Sequence, residues 1–140
     1  MKENFDRAFG FLMKWEGGYV NDPNDPGGET NWGISKRIFP DMDIKNLTKD
    51  QALKIYKQFY WDRVDGDNLP WPLDLIVFDT AVNMGVGRAL QFYTETKNPV
   101  EYIFFRIKRY STICVGNPKL IKFLNGWLNR AYDLWKESNK

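Results

Sequence analysis

The segment Leu73–Met84, L-D-L-I-V-F-D-T-A-V-N-M, constrains the fold most. Apart from Asp74, Asp79, Thr80 and Asn83 it is apolar, so it offers water no continuous polar face. A helix that is hydrophobic all round is a buried one. The segment therefore predicts a central helix with the other elements packed around it. At 140 residues the chain is most simply one domain, long enough to bury most of what its unfolded form exposes.

The remaining elements read as mainly helical. Residues 3–15 place Phe5, Ala8, Phe9, Leu12 and Met13 at helical spacing, which predicts an amphipathic first helix. Thr48-Lys49-Asp50-Gln51 matches a capping box, followed by the apolar stripe Ala52, Leu53, Ile55, Tyr56, Phe59 and Tyr60. Residues 61–70 are polar and turn-rich. Gly85 and Gly87 separate the central helix from another at 88–96. Asn98-Pro99 supplies an N-cap and a proline at the first helical position, opening a helix to about Cys114. Asn117-Pro118 repeats that signal before the last helices, with Gly126 as a hinge. Residues 29–35 are the place for a short N-terminal β-hairpin, with Trp32-Gly33-Ile34 as its apolar strand.

Composition narrows the chemistry. There is no histidine, which removes Ser–His and Cys–His nucleophilic schemes and argues against a zinc hydrolase. The single Cys114 reads as a small buried apolar residue. Carboxylates, amides and hydroxyls remain, and no metal or organic cofactor is expected. Aromatics make up 16% of the chain, enough to line a sugar-binding cleft as well as a core.

The net charge of +2 is unevenly spread. Residues 1–85 carry 10 Lys+Arg against 14 Asp+Glu, a balance of −4, whereas residues 86–140 carry 10 against 4, a balance of +6. Such asymmetry suits an anionic wall polymer or a membrane surface, or else a plain solvated helix face. The basic residues are scattered rather than striped, so a nucleic-acid partner is not expected. No apolar run reaches the length that spans a bilayer, and no signal-peptide cleavage site is evident. The expectation is synthesis in the cytoplasm, as a monomer, so that any action outside needs another agent for release or export.

The stretch 15–35 carries the chemistry. Glu16 falls at the end of the first helix, where Gly17-Gly18 stops it and glycine suits a left-handed C′ position. A carboxyl group there faces the negative end of the helix dipole, which favours its protonated form. Trp15, Tyr19 and Trp32 ring it, and Trp15 and Tyr19 could desolvate it. Asp22-Pro23 and Asp25-Pro26 stiffen the loop that follows. One protonated carboxyl and a second group that activates water or stabilises a cation suit glycoside hydrolysis. Asp22 and Asp25 read equally well as turn residues bonding their own backbone.

E-G-G-Y-V-N-D-P-N-D-P-G-G-E-T-N-W-G-I-S resembles the signature of glycoside hydrolase family 108, the phage-type and bacterial N-acetylmuramidases. The resemblance continues through F-D-T-A-V-N-M-G-V-G-R-A at 78–89 and F-L-N-G-W-L-N-R at 123–130. It implies a lysozyme-like, mainly α fold, with 1–85 as the catalytic part and 86–140 as a helical peptidoglycan-binding part. It implies Glu16 as the catalytic acid and peptidoglycan glycan strands as the substrate. More loosely, Asp25 and Thr30 resemble the Asp and Thr that position the attacking water in phage-type lysozymes. The gap between them is one residue short, and Asp22 stays a rival. Tyr19, Trp32, Asn83 and Trp127 are candidate substrate contacts; Asn83 and Asp79, four apart, read equally as buried polar groups satisfying backbone, and Trp127 and Arg130, three apart, read equally as a wall contact or as plain packing. A lytic transglycosylase, a non-catalytic wall-binding protein and, less well, a nucleic-acid binder are the alternatives.

Overall fold

The computed structural model describes residues 2–24 and 27–140. Among them are six α-helices: α1 (Lys2–Trp15), α2 (Lys49–Tyr56), α3 (Leu73–Met84), α4 (Val86–Glu95), α5 (Pro99–Gly116) and α6 (Leu124–Ser138). A three-stranded antiparallel sheet, β1 (Val20–Asn21), β2 (Glu29–Asn31) and β3 (Ile34–Ser35), lies between α1 and α2 in the chain. No helix among the described residues is long and apolar enough to cross a membrane.

α3 is the axis of the molecule. Every residue from Leu73 to Ala81 is buried, Asp74, Asp79 and Thr80 included. α1 lays Phe5, Ala8, Phe9, Phe11 and Leu12 against the core. Phe5 meets Phe78 of α3 edge-on at 5.9 Å and Trp61 at 5.3 Å. Trp61 is fully buried, with its indole N–H donating to Asp67 Oδ1 at 3.0 Å. The helix widens into a π-helical turn over Lys57–Trp61, which leaves Phe59 exposed and turns Trp61 inward. Trp61 is thus core.

Local signals act as expected at several ends. Thr48 and Gln51 make both halves of the capping box at the start of α2. Asn98 accepts from the Glu101 amide at the start of α5, with Pro99 behind it. Gly85, at φ 97°, separates α3 from α4.

Four expectations are corrected. Gly87 lies inside α4, which begins at Val86 rather than Arg88. Asn117-Pro118 opens a 3₁₀ segment, Pro118–Phe123, without a side-chain cap, and Gly126 continues α6 instead of hinging it. Gly17 and Gly18 end α1 without a positive φ, so the left-handed cap is not used.

Candidate active site

Glu16 follows the last residue of α1, and its amide still bonds Leu12 O at 3.0 Å, so the helix fixes its backbone. Its side chain is 21% exposed, accessible yet held. Oε1 accepts from Arg130 of α6 at 3.0 Å. Oε2 faces the turn of the hairpin: a Cβ on Gly33 would stand 2.7 Å from Oε2 and 2.5 Å from the Tyr56 hydroxyl. Only glycine permits so close an approach of the turn to Glu16 and Tyr56.

That turn is Trp32-Gly33, not a strand. Asn31 pairs with Ile34 across it, and both turn residues have positive φ, 55° and 75°. This is the type I′ geometry, whose twist matches that of a two-residue hairpin. A tryptophan at positive φ is costly, of the order of 1–3 kcal/mol, and persists only where its surroundings over-determine it. Here the Trp32 indole donates to Leu47 O at 2.9 Å, and its carbonyl accepts from the Tyr56 hydroxyl at 2.7 Å. Asn31, also buried, ties the hairpin to Ile44 O at 3.1 Å. Burial and then the nearby Glu16 carboxylate push the Tyr56 and Tyr60 hydroxyls above their usual range.

Arg130 is the keystone of a buried ion cluster. It donates to Asp79 Oδ1 at 2.9 Å and Oδ2 at 3.3 Å while holding Glu16. Asp79 also receives Arg106 NH1 at 2.6 Å, and both side chains are wholly buried. Burial works against the Asp79 charge, but Arg106 and Arg130 overcome it and hold the carboxyl below the usual aspartate range. Burial likewise opposes the Arg130 charge, and Asp79 and Glu16 together raise its pKa regardless. From Arg106 the network runs on through the Tyr110 hydroxyl (2.8 Å) to Asn83 Oδ1 (2.6 Å).

The sequence-predicted residues fall as follows. Glu16, Trp32 and the α6 helix meet at one place. Thr30 sits in the middle strand, paired with Val20 and Ser35. Tyr19 is 41% exposed; partial desolvation and then the Glu29 carboxylate push its hydroxyl up. Asp22 accepts from the Asn24 amide at 2.9 Å, a local turn bond. The expectation for Asp25 lies outside the described residues. Asn83 and Trp127 line one pocket of about 320 Å³. Trp127 stacks on Tyr110, with centroids 5.1 Å apart and planes 22° apart. Asp79 satisfies arginines, not the backbone of the N-terminal loop. The arginine cluster was the residue set that sequence reasoning missed. Its one signal was an aspartate in the middle of an apolar helix, which demands a charged partner when buried.

The model of the family Glycosyl hydrolase 108 matches residues 9–85, more than half of the chain. The chain belongs to Glycosyl hydrolase 108. It is a glycoside hydrolase, and the family points to peptidoglycan hydrolysis. Among solved structures, that of Brucella abortus SagA is similar, with a TM-score of 0.80 at 26% identity over 99% of this chain and 95% of that one. No curated protein sequence shows significant similarity. The likeness to SagA covers α5 and α6 as well, and with six helices and one small sheet the fold is lysozyme-like and mainly α. The Glycosyl hydrolase 108 match ends at Gly85, yet the guanidinium that holds Glu16 comes from α6, 114 residues later in sequence.

Proposed function

We propose that the protein is an N-acetylmuramidase that cleaves the β-1,4 bond between N-acetylmuramic acid and N-acetylglucosamine, with Glu16 as the general acid. The observation that carries this reading is the asymmetry of the Glu16 carboxyl. Arg130 occupies Oε1, whereas Oε2, set against the Gly33 backbone, accepts no hydrogen bond from the described residues. A proton donor needs one oxygen fixed for aim and the other free to reach the leaving glycosidic oxygen. The resulting carboxylate stays in hydrogen-bonding contact with Arg130. Asp25, with Thr30, is the proposed partner that positions water or stabilises the oxocarbenium-like transition state. Tyr19, Trp32, Asn83 and Trp127 are proposed to contact the glycan, and residues 86–140 to contribute wall binding. The enzyme is proposed to act as a monomer in the periplasm or wall after release from the cytoplasm.

Product analysis tests the reaction. Purified peptidoglycan digested to soluble muropeptides is expected to yield reducing N-acetylmuramic ends by mass spectrometry. Anhydro-muramic ends would assign a lytic transglycosylase instead, and reducing N-acetylglucosamine ends would move the cut to the other bond.

A further inference from the structure

The pocket shared by Asn83 and Trp127 also carries Arg88, Arg109 and Tyr110. We propose that it binds the carboxylates of the peptide stems attached to the glycan, beside the cleavage site. This rests on the peptidoglycan reading above and names a part of the substrate that reading leaves open.

Three observations support it. The first is charge. Neither Arg88 nor Arg109 has an ion-pair partner among the described residues; Arg88 bonds only the Gln91 side chain, at 3.0 Å. Three of the four acids of the basic half are engaged elsewhere. Asp133 takes Trp15 and Lys14, Glu137 takes Arg7, and Glu101 takes Thr96. Two guanidinium groups without a counter-charge among the described residues favour an anionic part of the substrate over the uncharged sugar rings. Planar forks of this kind match carboxylates in bidentate fashion.

The second is the wall of the pocket. Tyr110 and Trp127 form a stacked aromatic face on which the apolar part of a stem residue can rest. Tyr110 donates to Asn83 Oδ1, which leaves the Asn83 amide nitrogen to donate outward. The third is position. Asn83 lies one helical turn beyond Asp79 on α3, and Trp127 one turn before Arg130 on α6, a step of about 5.4 Å along each axis. The pocket is therefore the neighbour of the ion cluster that holds Glu16.

The test compares wild type with the double variant Arg88→Gln/Arg109→Gln on two substrates. One is peptidoglycan freed of anionic polymers with its stems intact, and the other is the same glycan after an amidase has removed the stems and the lactyl carboxylates so freed have been converted to amides. The double variant should lose roughly tenfold in kcat/KM on stem-bearing glycan, through KM, with unchanged rates on stripped glycan. Arg88→Lys/Arg109→Lys should keep part of the difference. Equal loss on both substrates, or no loss on stem-bearing glycan, would overturn the proposal. Binding is read separately, by tryptophan fluorescence with a muramoyl dipeptide bearing free carboxylates. Wild type should bind it, but not its amidated form, and the double variant should bind neither. Displacement of the dipeptide by polyglycerol phosphate at lower concentration would make wall phosphate the ligand and overturn the stem assignment. Dipeptide binding without glycan cleavage would remove the muramidase reading and leave the pocket standing. Cleavage without dipeptide binding would do the reverse.

Discussion

At the scale of single residues, the site depends on what Gly33 lacks. Its φ of 75° is costly for any L side chain, and its missing Cβ is what keeps Glu16 Oε2 and the Tyr56 hydroxyl from being struck. Gly33→Ala combines left-handed strain of about 1 kcal/mol or more with a steric conflict at the proposed proton donor. The expected outcome is a loss of stability of about 1–3 kcal/mol, seen as a lower midpoint in urea, with a larger proportional loss of glycan cleavage. By contrast Gly17 and Gly18 have nothing within 4 Å of an added Cβ and no positive φ, so Gly17→Ala should leave both stability and cleavage within measurement error. The contrast separates the glycine that the site needs from those that merely end a helix.

At the scale of elements, α6 is clamped to α1 by pairs that descend α6 as they ascend α1. Glu137 meets Arg7 at 3.1 Å, Asp133 meets Lys14 at 3.2 Å and the Trp15 indole at 2.9 Å, and Arg130 meets Glu16. These pairs differ in worth. Arg7 is 39% exposed, and such surface pairs contribute about 0–1 kcal/mol. Arg130 is 8% exposed, and losing one member of a buried ion cluster costs about 3–5 kcal/mol because the remaining charge is stranded. Glu137→Gln should therefore barely shift a denaturation curve, whereas Arg130→Gln should shift it by several kcal/mol. Arg130→Lys keeps the charge and loses the fork, so it should recover part of the cleavage rate that Arg130→Gln loses, and that recovery marks positioning rather than stability alone.

The same scale shows what the sequence could reveal. α3, the Thr48 box and the Asn98-Pro99 start are written in residues a few positions apart, and periodicity or capping chemistry reads them directly. The Trp32-Gly33 turn escaped because tryptophan is a poor turn former; tertiary bonds to Leu47 and Tyr56 override that preference. Gly126 looked like a hinge but is carried within α6, whose Arg130, Ala131 and Leu134 are buried. The Glu16–Arg130 pair joins residues 114 apart, and nothing local announces it. Its loop and the family resemblance single out Glu16 as a candidate, but nothing in the sequence points to the device that holds it.

At the scale of the whole molecule, the acidic N-terminal part and the basic C-terminal part meet at the Asp79 cluster on the central helix. A chain ending at residue 123 would strand Asp79 beside Arg106, expose the core under Ala131 and Leu134, and leave Glu16 without its guanidinium. Loss of a cooperative melting transition is expected for that truncation, although the family match itself ends at residue 85. The cluster also sets the acid limit of the fold. Asp79 has a folded pKa below its unfolded value, so its contribution is fully present above the unfolded aspartate range, near pH 3.9, and is lost only as pH falls through the folded value. Acid unfolding followed by circular dichroism should show this loss only below about pH 4, and Asp79→Asn should already be destabilised at neutral pH and lack it.

All of this converges on one carboxyl group. Glu16→Gln keeps the size of the side chain and its bond to Arg130 but removes the acid. Measured as new reducing ends released from purified peptidoglycan, with a melting curve recorded on the same sample, it should lower the rate by roughly 10²–10⁴-fold while the transition stays cooperative. A folded Glu16→Gln protein that releases reducing ends at the wild-type rate would contradict the account.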